Sequence, residues 1–158
     1  MTYDNILDRC LESYENHVMS KEYFEFYNNL ITIPSMLMVS IATILSTYVS
    51  QSDNEYIKIS LIILNALTTF LITINNFLKY GQKSENHRIC ADNYDNLITK
   101  IRYEKEYPDE DVKIFMQTIE KSILEIKKIN IYLIPSHLRK KNKMVKSNSK
   151  TNLLVNTV

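Results

Sequence analysis

The sequence predicts an all-α membrane protein: a transmembrane helical hairpin whose helices extend into a cytosolic antiparallel helical bundle. Three observations predict it. Two runs, 26–52 and 59–78, carry no charge. Only 1 Gly and 3 Pro occur in 158 residues, which leaves little turn chemistry and no period-2 strands bounded by turn signals. The segments flanking the runs repeat apolar residues at helical spacing.

A bilayer core is crossed by roughly 20 apolar helical residues, and each run supplies them as spans at about 29–49 and 58–79. Tyr27 and Tyr80 bracket one side and Tyr48 and Tyr56 the other, where aromatic residues favour headgroups. An apolar hairpin buried in a soluble bundle would keep a charged stripe, and neither run has one. A cleaved signal peptide is excluded, because the first run begins deep in the chain and lacks a basic leader and a small-residue cleavage site.

The first amphipathic helix covers 3–28, with Tyr3, Leu7, Cys10, Tyr14, His17, Lys21, Phe24 and Asn28 facing inward and Asp4, Asp8, Glu12, Glu15 and Glu22 outward. It is expected to run into the first span with little break. Pro34 then removes one backbone bond and should kink the helix, with Thr32 or Ser35 to satisfy the freed carbonyl. Lys79, Lys83 and Arg88 follow the second span, whereas the link offers Lys58 beside Asp53 and Glu55. The positive-inside rule therefore places both termini in the cytosol. The second span is expected to continue past Gly81 into a helix ending near Glu106, with Tyr80, Ser84, His87, Ala91, Tyr94, Ile98 and Ile101 inward. Tyr107-Pro108 stops it. Asp109, Glu110 and Asp111 suit the positive N-terminal end of a last helix. That helix is expected to reach Tyr132 on Val112, Phe115, Met116, Ile119, Ile123, Ile126 and Ile129, and Pro135 ends it. It should pack on the Tyr14 and Tyr94 faces. Residues 1–136 form one domain, and 137–158 read as a basic, disordered tail.

Charge is unevenly spread: six acids against two bases within 1–26, and only bases after Glu125. Arg139, Lys140, Lys141, Lys143 and Lys146 suit anionic lipid headgroups. Without aromatic interleaving or a nucleic-acid-binding motif, no nucleic-acid partner is expected.

No phosphate loop, His-Glu-x-x-His or Gly-x-Ser-x-Gly occurs, so neither an enzyme nor a cofactor is expected. Cys10 and Cys90 read as small core residues rather than metal ligands. Glu15-Asn16-His17 before the first span is echoed by Glu85-Asn86-His87 after the second. An antiparallel hairpin brings His17 and His87 to similar depth, near the hydroxyls of Tyr14 and Tyr94. Both fit hydrogen-bonded core histidines, and a pH-sensing pair is the sharper alternative. The spans carry polar stripes: Ser40, Thr43, Thr47 and Ser50 in the first, and Asn65, Thr69, Thr73 and Asn76 in the second. Such stripes face another helix or water. Interhelical hydrogen bonding, with Ala42 and Ser46 letting backbones approach, competes with pore lining, which needs several hairpins.

Tyr14-x-x-His17, Asn29-x-x-x-Ile33-Pro34, and His87-x-x-x-Ala91-x-x-Tyr94-x-x-Leu97-x-x-x-Ile101, with the closing 129–135 segment, resemble the SLATT family. These two-transmembrane domains are associated with nucleotide-sensing conflict systems. The resemblance covers about residues 10–136 and implies a membrane effector that assembles and perforates or depolarises a membrane. No sensor domain accompanies it here, as in the stand-alone versions of eukaryotes and large DNA viruses. The expected partners are the lipid bilayer and further copies in a homo-oligomer. The alternative is a structural membrane adaptor whose cytosolic bundle binds a protein partner.

Overall fold

A computed structural model describes residues 3–49, 54–108 and 111–138, and these are helical with no strand among them. The elements are α1 (Tyr3–Val49), α2 (Glu55–Leu78), α3 (Tyr80–Glu106) and α4 (Val112–Ile129). Contacts divide the chain into two units. A bundle unit holds Met1–Tyr23 and Lys83–Val158, and a hairpin unit holds Phe24–Gln82.

In the bundle unit, α1 contributes Ile6, Cys10, His17 and Ser20 to the interior. Ile6 and Ser20 were not among the inward positions expected, and they complete the 3–4 spacing through Cys10 and His17. From α3 come Ser84, His87, Cys90, Ala91, Tyr94, Leu97, Ile98, Ile101 and Glu104. From α4 come Phe115, Met116, Ile119, Ile123 and Ile126. Tyr3, Leu7, Leu11 and Tyr14 cover the edge of this core. Many α1 and α3 contributions are small, and small side chains let two helix backbones approach closely. Ser84 Oγ accordingly reaches Lys21 O on α1, at 3.2 Å. Ion pairs tie the helices at the surface, among them Arg9 to Glu120 at 2.6 Å and Lys105 to Asp4 at 2.7 Å. Solvent-exposed pairs of this kind contribute less than about 1 kcal/mol each. The apolar core holds the unit together.

Helix α4 is shorter than its periodicity suggests. Asp111 caps it by accepting from Lys113 N at 2.8 Å, while 109–110 lie outside the described residues. It stops at Ile129 rather than near Tyr132, because Asn130 turns extended and Asn86 Nδ2 donates to Ile129 O at 3.0 Å. That bond satisfies a carbonyl that would otherwise need the next helical turn. Val112 and Ile129, expected inward, are exposed at the two ends. Ser136 to Leu138 form a short turn, and the His137 ring meets Tyr23 at 5.0 Å. Residues 139–158 are outside the description.

In the hairpin unit the two long apolar helices pair antiparallel. Thr32, Ser35, Met36 and Val39 of α1 share one groove with Ile72 and Asn75 of α2. Further along α1, Ala42 and Ser46 share another with Asn65 and Thr68. Ser35, Ala42 and Thr68 are the buried residues of this seam, all small. Ser46, expected to pair with Ala42 as a contact residue, is exposed. Pro34 lies inside continuous α1. Ser35 Oγ donates to Ile31 O at 2.7 Å, whereas the Thr32 hydroxyl accepts from Asn75 Nδ2 across the seam at 3.0 Å. Neither bond is to the Leu30 carbonyl that the proline deprives of its amide.

Helix α2 does not continue unbroken into α3. Lys79 adopts the left-handed conformation (φ 53°, ψ 36°) and ends α2, with its N–H on Asn75 O at 3.0 Å. Helix restarts at Tyr80. A left-handed lysine costs about 1–2 kcal/mol, so packing rather than local preference imposes the break. Gly81, the residue sequence singles out, keeps negative φ, and its lack of a side chain serves close approach instead. A Cβ there would come within 3.2 Å of Asn28 Oδ1.

Candidate functional site

Two places gather polar side chains among apolar surroundings, one in each unit. In the hairpin unit the polar stripes only partly converge. Thr43 and Thr47 of α1 and Asn65 and Thr69 of α2 line one groove of about 560 Å³, with Ser46 and Thr68 beside them. Ser40, Thr73 and Asn76 are exposed outside that lining.

The stripe hydroxyls do not bridge the two helices in the bonds described. Ser40 donates to Met36 O at 3.0 Å, Thr43 to Val39 O at 2.9 Å, and Thr47 to Thr43 O at 3.2 Å. On α2, Thr69 donates to Asn65 O and Thr73 to Thr69 O, both at 2.8 Å. Each returns to the carbonyl four residues earlier, so a hydroxyl proton is satisfied without a partner helix. The interhelical bond that sequence reasoning assigned to the stripes is made instead by Asn75 and Thr32. Those two lie off the stripe periodicity, and no local signal distinguishes Asn75 from Asn76.

In the bundle unit, His17 on α1 and His87 on α3 meet directly, Nδ1 to Nδ1 at 2.9 Å, with both rings buried. A hydrogen bond between two Nδ1 atoms requires one ring protonated there and the other protonated on Nε2. The ring centroids are 5.1 Å apart, and Tyr94 stacks on His17 at 5.7 Å. Tyr94 thus offers its face rather than the hydroxyl that sequence reasoning gave it, and the hydroxyl pairs with Ser13. Burial first, and the neighbouring His87 second, hold the His17 imidazole down at about 4. Burial also holds the His87 imidazole below its ordinary value. At neutral pH the pair is uncharged.

Beside the pair lies a cleft of about 480 Å³, lined by Arg9, Glu12, Ser13, Asn16, His17, Tyr94, Ile123, Lys127, Asn130 and Ile134. Its charges lie on α1 and α4, and they sit toward the mouth while His17 and Tyr94 are buried. Of the repeated Glu-Asn-His triplets, the histidines come together. Glu85 pairs with Arg88, and Asn86 caps α4.

The remaining motif positions serve packing. Ala91, Tyr94, Leu97 and Ile101 are core, Tyr14 is at its edge, and Asn29 and Pro34 are exposed in the hairpin unit. Burial raises the thiols of Cys10 and Cys90, which are free and inaccessible. No group of three or more His, Cys, Asp or Glu suited to a metal is assembled among the described residues. Arg139, Lys140, Lys141, Lys143 and Lys146 fall outside the described residues. Compared with protein-family models, curated proteins and solved structures, the chain finds no match in any of the three.

Proposed function

We propose that the chain is an integral membrane protein whose hairpin unit crosses a bilayer twice and associates with copies of itself. The grooves lined by Thr43, Thr47, Asn65 and Thr69 then line a shared, weakly selective path for small solutes. One observation carries the membrane part of this reading. The most apolar stretches of the two span-length helices are only 11% and 6% buried in the chain itself. Ile44, Phe70 and Phe77 are 71%, 60% and 83% exposed. Helices of a soluble core bury such residues, so lipid or further copies must cover them.

Length agrees, since the 24 residues of α2 extend about 36 Å. The aromatic residues agree too, with Phe24, Tyr27 and Tyr80 clustered at one end of the hairpin and Tyr48 and Tyr56 exposed at the other. Two helices cannot enclose a channel, so the path needs an oligomer. With no charge in either span, it discriminates poorly between ions. The resemblance to SLATT effectors supports the same reading, with both termini cytosolic and no catalytic role.

A second reading, a membrane adaptor, draws on a different feature. A groove of about 720 Å³ along α4 exposes Val112 and Leu124 beside Met116, between Lys113 and Lys121. That is a surface on which a protein partner could dock.

Ion conductance of the purified chain in planar bilayers separates the two. Conductance from wild type, lost when Thr43→Leu and Thr69→Leu are combined, is the expected result. Silence from chain shown to be inserted, at every protein-to-lipid ratio, contradicts the pore and favours the adaptor.

A further inference from the structure

The segment that follows α4 is neither core nor span, and its exposed side chains are not those of a solvated loop. Leu133 is 87% exposed, more than any other large apolar residue described, and Ile131 is 78% exposed. Both stand on irregular backbone that is nonetheless held at two points. Before them, Ile129 O accepts from Asn86 Nδ2 of α3 at 3.0 Å. After them, His137 lies against Tyr23 of α1, and Leu138 N donates to Pro135 O at 3.1 Å. A loop fixed at both ends while presenting two large apolar side chains outward is built to put them into something.

The charge around it says what. Lys127 and Lys128 are exposed immediately before it, and the sequence continues through Arg139, Lys140, Lys141, Lys143 and Lys146, with no acid anywhere after Glu125. Apolar tips flanked by bases complement an anionic lipid interface. A second copy of the same surface would set like charge against like.

We infer that residues 130–138 are a monotopic lipid anchor, inserting Ile131 and Leu133 into an anionic lipid interface. The inference rests on the membrane reading above and adds a third contact to the two spans. Its consequence is that the end of α4 is held at the membrane by lipid composition.

The chain contains no tryptophan, so one introduced residue reports its own surroundings. Full-length Leu133→Trp is reconstituted in phosphatidylcholine vesicles with and without phosphatidylserine, alongside Phe70→Trp as a span reporter. Nitroxide-labelled lipids serve as quenchers. On anionic vesicles, Leu133→Trp should emit at short wavelength and be quenched by lipid labelled near the headgroup. Phe70→Trp should be quenched by lipid labelled deep in the acyl chain. Adding Lys127→Gln and Lys128→Gln should weaken the anionic-lipid dependence by about fivefold per lysine.

Red emission from Leu133→Trp, open to acrylamide while Phe70→Trp is quenched, overturns the anchor and leaves the spans intact. Short-wavelength emission without lipid quenching means that protein covers the site, and overturns it equally. Failure of Phe70→Trp to be quenched removes the membrane reading and the anchor with it.

Discussion

Acidification from pH 7.5 to 4.5 will destabilise the bundle unit by about 2–3 kcal/mol through the histidine pair. The His17 imidazole is held down at about 4 from an ordinary 6.5. Between those values the unfolded chain binds a proton that the folded bundle refuses. The histidine contribution is therefore complete above about pH 6.5 and is lost as pH falls toward 4. A first proton can still be shared across the 2.9 Å contact, whereas a second sets two N–H groups and two charges against each other. The cleft beside His17 also holds Arg9 and Glu12 on α1, Tyr94 on α3 and Lys127 on α4.

The control is His17→Gln combined with His87→Gln. Those amides can still hydrogen-bond but carry no charge. Chemical unfolding in micelles, followed by circular dichroism across the pH range, should show the steeper loss in wild type only. Equal slopes would mean that the rings do not meet in a dry site.

Truncating the bundle core should cost as much at any pH. Ile101 on α3 is 0% exposed and Ile119 on α4 is 2% exposed, and both belong to the cluster that joins α1, α3 and α4. Ile101→Ala and Ile119→Ala should each lower stability by about 3–4 kcal/mol, the removed methyls and the cavity both counting. Leu124→Ala, at a position 56% exposed on the same helix as Ile119, should stay within about 0.5 kcal/mol. The same unfolding measurement reads all three. If Ile119→Ala proved as mild as Leu124→Ala, α4 would not be docked on the other two helices.

What the sequence displayed, and what it hid, divides along the line between periodic and singular features. The inward rows of α3 and α4 were legible because burial repeats every three or four residues, and one exception does not obscure the rest. The two long apolar helices were legible because each uncharged run is long enough to read as one helix. His17 and His87 could be placed in one layer because equal numbers of turns separate each from an aromatic bracket, give or take one.

Singular events were not legible. The helix break fell on Lys79, where a left-handed residue is rare, and not on the glycine two residues later. The end of α4 depended on Asn86, a side chain 43 residues away in sequence. The stripe hydroxyls turned back on their own carbonyls, and the seam was bonded by Asn75 and Thr32. In each case a tertiary neighbour decided among local options of similar energy, and one sequence does not reveal the neighbour.

The most direct measurement is thiol labelling of the intact chain in sealed vesicles of one orientation, with a membrane-impermeant maleimide. The native Cys10 and Cys90 are buried and held protonated, so they report little. Single cysteines are placed at Glu55 at the start of α2, at Ala66 near its middle, and at Lys105 near the end of α3. Labelling of Glu55→Cys and Lys105→Cys from opposite sides, with Ala66→Cys protected until detergent is added, is the result expected of a two-span hairpin. Labelling of Ala66→Cys without detergent, or of both flanking positions from one side, would contradict it.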